Sequence, residues 1–186
     1  MANSILVRKE EEKNQIEAFK KSIRVYFEGD VEYNQKLDFV DYDISEDEDL
    51  KRILNVFENR YAIEDLKNLK EDIMFTAFNR ENKIIFSYDG IEKFTKSRKK
   101  TLENYSNDLK LGYPVDYWIK KCEEINANVT SEFPNALKDS LTDIICSKNG
   151  YMVIRIMSGE FDWREEGAME RLNKIIENSK KGTFDL

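Results

Sequence analysis

Carboxylates are the side chains of this sequence that could carry metal-dependent chemistry. Glu160, Asp162 and Glu165 lie close together in the chain, and with Asp89 or Asp143 they could hold a magnesium ion, which prefers oxygen ligands. A bound magnesium ion can activate water for hydrolysis. One alternative is therefore a magnesium-dependent hydrolase or nuclease that acts through Asp89, Asp143, Glu160 and Asp162. No fixed spacing supports this site, and acidic proteins commonly contain such groups.

Other common catalytic groups are missing from the sequence. It contains no histidine, which excludes ordinary Ser-His and Cys-His nucleophilic catalysis and counts against a zinc site. No glycine-rich phosphate loop or dinucleotide motif is present. Cys122 and Cys146 lack metal-ligand spacing, and we predict that both are free thiols in the core. These absences favour a binding protein over an enzyme, and we predict no cofactor.

The negative charge is concentrated in one window of the sequence. Residues 28–49 carry ten acidic side chains and one basic one, so the rest of a chain with net charge −7 is slightly positive. Residues 41–49 resemble the first part of a calcium loop, but Glu46 stands where that loop needs glycine and Arg52 where it needs glutamate. Two interpretations remain: acids that favour a helix start, and an acidic docking surface for a basic partner. The candidate docking residues here are Asp41, Asp43, Glu46, Asp47 and Asp49.

A second acidic segment, residues 160–166, contains two large aromatic side chains. Aromatic anchors within a charged rim are typical of partner-binding patches. The candidate binding residues are Glu160, Phe161, Asp162, Trp163 and Glu165. The alternative is structural: Trp163 covers the core while Asp162 caps the last helix.

A basic run, residues 93–100, contrasts with the acidic remainder. Its five cations, which could contact phosphate, are Lys93, Lys96, Arg98, Lys99 and Lys100. They support a third functional alternative, a nucleic-acid-binding regulator. Phe94 falls on the apolar stripe, so the run lacks the exposed aromatics of a single-strand binder. More often, such a run is the solvated face of a helix or a counterweight to nearby acids.

The strongest structural signal is the run of residues 151–157, Tyr-Met-Val-Ile-Arg-Ile-Met, which predicts a strand buried on both faces. Residues 74–78 and 83–88 predict a β-hairpin, and residues 37–42 a short strand. Apolar periodicity predicts helices over residues 8–27, 45–57, 62–73, 91–109, 114–125, 134–146 and 169–181. Ser45 and Glu48 have the spacing of a capping box at the start of the second helix.

These elements predict an α+β fold with an antiparallel or mixed sheet of about four strands and about six packed helices. The 186 residues fit a single domain, in which the helix over residues 8–27 could lie at the periphery. No apolar run approaches the length of a membrane span, so we expect a cytoplasmic protein without a membrane partner.

The functional expectation combines the missing catalytic groups with the uneven charge. The leading hypothesis is a non-enzymatic acidic binding or inhibitor protein, comparable in class to immunity proteins, antitoxins and phage-encoded inhibitors. Its partner would be a basic protein such as a toxin, a nuclease or a nucleic-acid-binding enzyme. The overall acidity disfavours nucleic acid as the principal partner.

Overall fold

A four-stranded mixed sheet lies between two groups of helices. The computed structural model describes residues 2–36, 42–57, 61–71, 73–130 and 132–184. The strands are β1 (Glu32–Tyr33), β2 (Ala77–Asn79), β3 (Ile84–Asp89) and β4 (Met152–Met157). The helices of the described residues are α1 (Ala2–Tyr26), α2 (Glu48–Val56), α3 (Ile63–Glu71), α4 (Lys96–Leu102), α5 (Val115–Ile125), α6 (Glu132–Lys148) and α7 (Ala168–Lys181). The predicted α+β class and mixed sheet are confirmed.

The sheet order is β1-β2-β3-β4. β1, β2 and β3 are antiparallel neighbours, and the β2–β3 pair confirms the predicted hairpin. β3 and β4 run parallel, with Ile84 opposite Met152 and Asp89 opposite Met157. A parallel pair requires a long crossover connection, and here it contains α4, α5 and α6. This crossover carries most of the polar side chains that reach the centre of the protein.

The two faces of β4 contact different groups of helices. Ile154 and Ile156 pack in a core cluster with residues of α1 and α7, whereas Val153 packs on the other face with α2, α3 and α6. Val153, Ile154 and Arg155 are all buried, which confirms that β4 is buried on both faces.

Helix α1 belongs to this core. Phe19 and Ile23 are fully buried and pack against the sheet residue Phe86 and against Trp163. The apolar stripe of α1 therefore covers one face of the sheet rather than lying at its periphery.

Three local predictions need correction or fall outside the described residues. The single helix over residues 91–109 is wrong, because α4 ends at Leu102 and the hydroxyl of Tyr105 turns inward to buried charges. The capping box is also wrong, since Asp47 is the N-cap of α2 and accepts a hydrogen bond from the Leu50 amide. The strand over residues 37–42 falls almost entirely on residues 37–41, which the structure does not describe.

Two further predictions concern the cysteines and membrane-spanning segments. Cys122 and Cys146 are free and buried, as predicted. In the described part of the chain, no helix is both long enough and apolar enough to cross a membrane.

The segment around Gly112 covers the free edge of β4. Leu111 forms a parallel bridge with Val153, and the Gly112 amide donates to the Val153 carbonyl at 2.8 Å. The Ser179 hydroxyl on α7 donates to the Gly112 carbonyl at 2.7 Å. A β-carbon at residue 112 would lie 2.7 Å from Ile154 Cγ1, so only glycine fits this position.

Gly112→Ala should lower the free energy of unfolding by about 1–3 kcal/mol, because the added methyl group forces apart residue 112 and β4. Urea unfolding followed by circular dichroism measures this change. Lys110→Ala, which truncates an exposed side chain of the same segment, is the matched control and should change stability by less than about 0.5 kcal/mol. Equal stability of Gly112→Ala and the wild type would contradict the close approach.

Candidate functional site

A buried network of charges lies between the sheet and the crossover helices. Its centre is Arg155 of β4, whose side chain is 1% exposed. The Arg155 guanidinium lies 2.9 Å from Asp89 at the end of β3 and 2.9 Å from Asp143 on α6. It also donates to the backbone carbonyl of Asp139 at 3.1 Å. One side chain therefore connects both parallel strands to the helix that covers them.

Arg98 of α4 enters the same network from the crossover. Its guanidinium donates to Asp143 Oδ2 at 2.7 Å. It also donates to the hydroxyls of Tyr105 and Tyr113, at 2.7 Å and 3.1 Å, and both hydroxyls donate in turn to Asp143. The Asp143 carboxylate thus accepts hydrogen bonds from two arginines and two tyrosines, which offsets the cost of burying its charge.

Local structure explains how these groups meet. Thr95 caps α4 by accepting from the Arg98 amide, which fixes the start of the helix that carries Arg98. Asp139 and Asp143 are four residues apart on α6 and therefore share one helix face. Arg155 stands opposite Ser87 in the parallel register, two residues before Asp89, so its guanidinium reaches along β3 to that carboxylate.

The network is balanced in charge. Among the described residues it contains three cations, Lys93, Arg98 and Arg155, and three carboxylates, Asp89, Asp139 and Asp143. Burial raises the pKa of Asp139, but Lys93 and Arg155 outweigh this effect and lower its pKa to about 2. Burial and Asp143 raise the pKa of Tyr113 well above its ordinary value, so Tyr113 stays a proton donor. These groups hold fixed protonation states near neutral pH, which suits a structural role.

The four carboxylates of the hydrolase alternative each bond to side chains of this protein, and two of them share Arg155. Asp89 and Asp143 bond to Arg155, whereas Glu160 accepts from the Tyr117 hydroxyl. Asp162 accepts from the Gln15 amide at 2.8 Å and from Arg164. Within the part of the chain that the structure describes, no three acidic or thiol side chains form a group that could hold a metal ion. The expected convergence is therefore absent there, because arginines already occupy the two buried carboxylates.

The basic run of residues 93–100 does not form one cationic surface. Arg98 is buried, and Lys93 pairs with Asp139 at 2.9 Å. Lys99 pairs with Glu103 and Glu123. Of the five cations proposed for phosphate contact, only Lys96 and Lys100 are exposed and outside the ion pairs of the described residues.

The acidic window of residues 41–49 serves local structure. Asp43 accepts hydrogen bonds from the Ser45 amide and hydroxyl at the start of a 3₁₀ turn, Ile44–Glu46. Asp47 caps α2, while Glu46 is exposed. Asp49 is buried and pairs with Lys148 at 2.7 Å and with Arg52 at 3.2 Å. Asp41 lies outside the described residues.

Asp49 is the buried carboxylate among the described residues of this window, and it forms ion pairs with Lys148 and Arg52. Burial raises its pKa, but its contacts with Lys148 more than compensate, so its pKa lies below the ordinary value. Asp49 therefore neutralises a neighbouring cation rather than facing solvent.

The segment of residues 160–166 lies on the other face of the sheet from that window. Ile44 and Leu50 pack in the cluster that contains Val153, whereas Trp163 packs with Ile154 on the α1 and α7 side. The buried side chains that anchor the two acidic segments therefore lie on opposite faces of the sheet.

Within residues 160–166, Trp163 is a core residue. It is 3% exposed, and its ring centroid lies 4.6 Å from that of Phe19. Phe161 is half-buried against it, whereas Glu160 and Glu165 are exposed. Gly167 is the N-cap of α7, so Asp162 does not cap that helix.

Helix α1 adds acidic side chains to this segment. Arg164 pairs with Glu11 and with Asp162, both at 2.6 Å. Gln15 donates to Asp162 and accepts from the Trp163 amide, which fixes the helix against the loop.

The turn after β3 contributes a further carboxylate. This is Glu92, and its carboxylate and that of Glu12 both lie directly over Gly90. A β-carbon at residue 90 would collide with both carboxylates. Burial and Glu92 raise the pKa of Glu12. We call these four carboxylates, Glu11, Glu12, Glu92 and Asp162, together with the exposed Glu160 and Glu165 of the same loop as Asp162, the acidic face.

Sequence reasoning missed half of the acidic face. Glu11 and Glu12 approach residues about 150 positions away, and only the docking of α1 through Phe19 and Ile23 brings them there. The signal in the sequence was the strong apolar stripe of α1, which required a partner surface.

Comparisons with protein-family models, with curated proteins and with solved structures find no match for this chain.

Asp143→Asn should lower the free energy of unfolding by about 3–5 kcal/mol, because it leaves two buried guanidiniums with too little negative charge. Urea unfolding at pH 7 measures the effect. Asp43→Asn, at an exposed carboxylate, is the control, and we expect a much smaller loss because asparagine can still accept from the Ser45 amide. Similar losses in both variants would show that the network does not stabilise the fold.

The pairing of Asp139 should produce a specific pH dependence. Its folded pKa is depressed, so its contribution is complete above the unfolded pKa and is lost as the pH falls through about 2. The stability difference between the wild type and Asp139→Asn should therefore stay constant from pH 7 to about 5 and then shrink by about 2 kcal/mol toward pH 2. Urea unfolding across this range measures the difference, with the exposed Asp116→Asn as control. A constant difference at every pH would exclude the proposed ion pair.

Proposed function

We propose that this protein is a non-enzymatic binding protein that docks a basic partner protein on its acidic face. The observation that carries this proposal is the convergence of carboxylates from α1, from the turn after β3 and from residues 160–166. Burial, Glu12, Asp162 and Glu11 all raise the pKa of Tyr88, whose hydroxyl lies among these groups. Such concentrated negative potential favours a cationic partner.

The balance of charge on the acidic face supports the same conclusion. Of its six carboxylates, Glu11 and Asp162 pair with Arg164, and the other four belong to no ion pair among the residues the structure describes. A surface left this negative accelerates encounter with a positive partner and disfavours nucleic acid.

An exposed apolar side chain next to Glu92 in the chain could supply binding energy after encounter. Ile91, which precedes Glu92, is 54% exposed. An apolar anchor surrounded by charges is the usual arrangement of an interface centre and rim. Trp163 does not fill this role, because it is buried in the core.

The mechanism we propose is electrostatic steering followed by occlusion of the partner's functional site. The proposal includes residues 160–166 and leaves out residues 41–49, whose described carboxylates are mostly used in caps and ion pairs. We also propose a cytoplasmic location, which the two free buried thiols support.

Association kinetics test this function. A partner captured from extracts of the source cells at low salt would be purified and its on-rate measured against wild type and two variants of equal charge change. Glu11→Gln/Glu12→Gln/Glu92→Gln alters the acidic face, and Glu46→Gln/Glu48→Gln/Glu64→Gln alters exposed acids on the other side of the sheet. We expect the first variant to associate about tenfold more slowly and the second within about twofold of wild type.

Ionic strength provides the second readout. The wild-type on-rate should fall steeply with added salt, because the steering charges are exposed. Equal on-rates for both variants, or an on-rate that salt does not change, would contradict docking on the acidic face.

A further inference from the structure

A cavity of about 290 Å³ lies between α5, α7 and the carboxyl end of β4. Six of its seventeen lining residues in the described part of the chain are aromatic. They include both tryptophans of the sequence, and the aromatic lining residues are Tyr113, Tyr117, Trp118, Phe161, Trp163 and Phe184. Crevices at the carboxyl ends of parallel strands are common ligand sites in sheets with helices on both faces.

The rim of this cavity is cationic. Arg171 and Lys174 of α7 line it, both are exposed, and neither belongs to an ion pair among the described residues. Arg155 also lines it, but the buried carboxylates neutralise that charge. Glu160 is the one carboxylate of the described lining, and it accepts from the Tyr117 hydroxyl.

Helix α5 adds positive potential to the same cavity. It begins at Val115, after Pro114, no side chain caps its first turn, and the one acid of that turn, Asp116, is exposed. Pro114 and Tyr117 line the cavity, so the positive end of the helix dipole lies at its wall. An anion is favoured at such a helix start.

A buried donor without a partner provides an independent indication of a ligand. Trp163 is 3% exposed and lines the cavity, and its indole Nε1 has no hydrogen-bond acceptor among the described residues. Buried donors are normally paired, so an unpaired one in a cavity wall points to an acceptor supplied from outside the chain.

We propose that this cavity binds a small aromatic carboxylate. The aromatic ring stacks among the tryptophan and tyrosine rings, and the carboxylate lies toward Arg171, Lys174 and the start of α5. A polar substituent of the ring accepts from the Trp163 indole. The cavity shares Glu160, Phe161 and Trp163 with the segment that contributes to the acidic face, but the inference does not depend on partner docking.

Tryptophan fluorescence tests the proposal directly, because both tryptophans line the cavity. Three probes of similar size differ in charge: para-nitrobenzoate, para-nitrobenzamide and para-nitrobenzylamine. Their nitroaromatic ring quenches indole emission on contact. We expect saturable quenching with para-nitrobenzoate and at least about fivefold weaker binding of the neutral and cationic probes.

Matched variants identify the anion-binding groups. Arg171→Gln/Lys174→Gln should weaken para-nitrobenzoate binding about tenfold and leave para-nitrobenzamide within about twofold, since two exposed charge contacts are lost. Lys96→Gln/Lys100→Gln removes two exposed cations on α4 and should leave both affinities unchanged. Asn178→Phe places a large ring in the lining and should abolish saturable quenching.

Thermal unfolding of each variant verifies that it is folded, and only folded variants are compared. The proposal is overturned if the wild type shows no saturable quenching with para-nitrobenzoate. It is overturned equally if the neutral or cationic probe binds as tightly, or if the α7 and α4 variants lose affinity to the same extent.

Discussion

The contact between Arg155 and Asp143 is the interaction on which the rest of the fold depends. It joins the last strand of the sheet to helix α6, which covers that strand, and Arg98 joins α4 to the same carboxylate. Burying a charge without a partner is very costly, so each of these groups requires the others to be in place. The network therefore favours one arrangement of the crossover and fixes the parallel pairing of β3 with β4. The network therefore disfavours other arrangements of the crossover helices, in addition to stabilising this one.

The same network determines where function can lie. Because its charges are balanced, its acids and bases are partners for one another. The two surfaces for which we propose functions lie around the loop after β4, which carries acidic side chains outward and aromatic side chains inward. The acidic face and the aromatic cavity are two sides of this loop, and α1 and α7 hold it in position.

The sequence predicted the parts of the fold that local patterns determine. Apolar residues on both faces identified β4, and the spacing of Phe19 and Ile23 identified α1. Turn residues located the hairpin of β2 and β3. The end of α4 could not be predicted, because the apolar period continues to Leu109 while the Tyr105 hydroxyl is needed by a carboxylate far along the chain. A contact between residues this far apart in the chain produces no pattern in the local sequence.

The candidate site was predictable only in part, for the same reason. Charge counting found residues 160–166 but also selected residues 41–49, and composition cannot separate an acid that caps a helix from one that faces a partner. The basic run has the same limitation for cations: composition suggests that Arg98 is on the surface, but Arg98 is buried.

A double-mutant cycle on Arg155→Met and Asp143→Leu measures the central interaction most directly. Each single variant leaves buried charge uncompensated, whereas the double variant removes the Arg155 charge and the Asp143 charge together. The account predicts a double variant more stable than the Asp143→Leu single variant, and a coupling free energy of at least about 2 kcal/mol. Losses that simply add, with no coupling, would show that the two side chains do not depend on each other and would contradict the account.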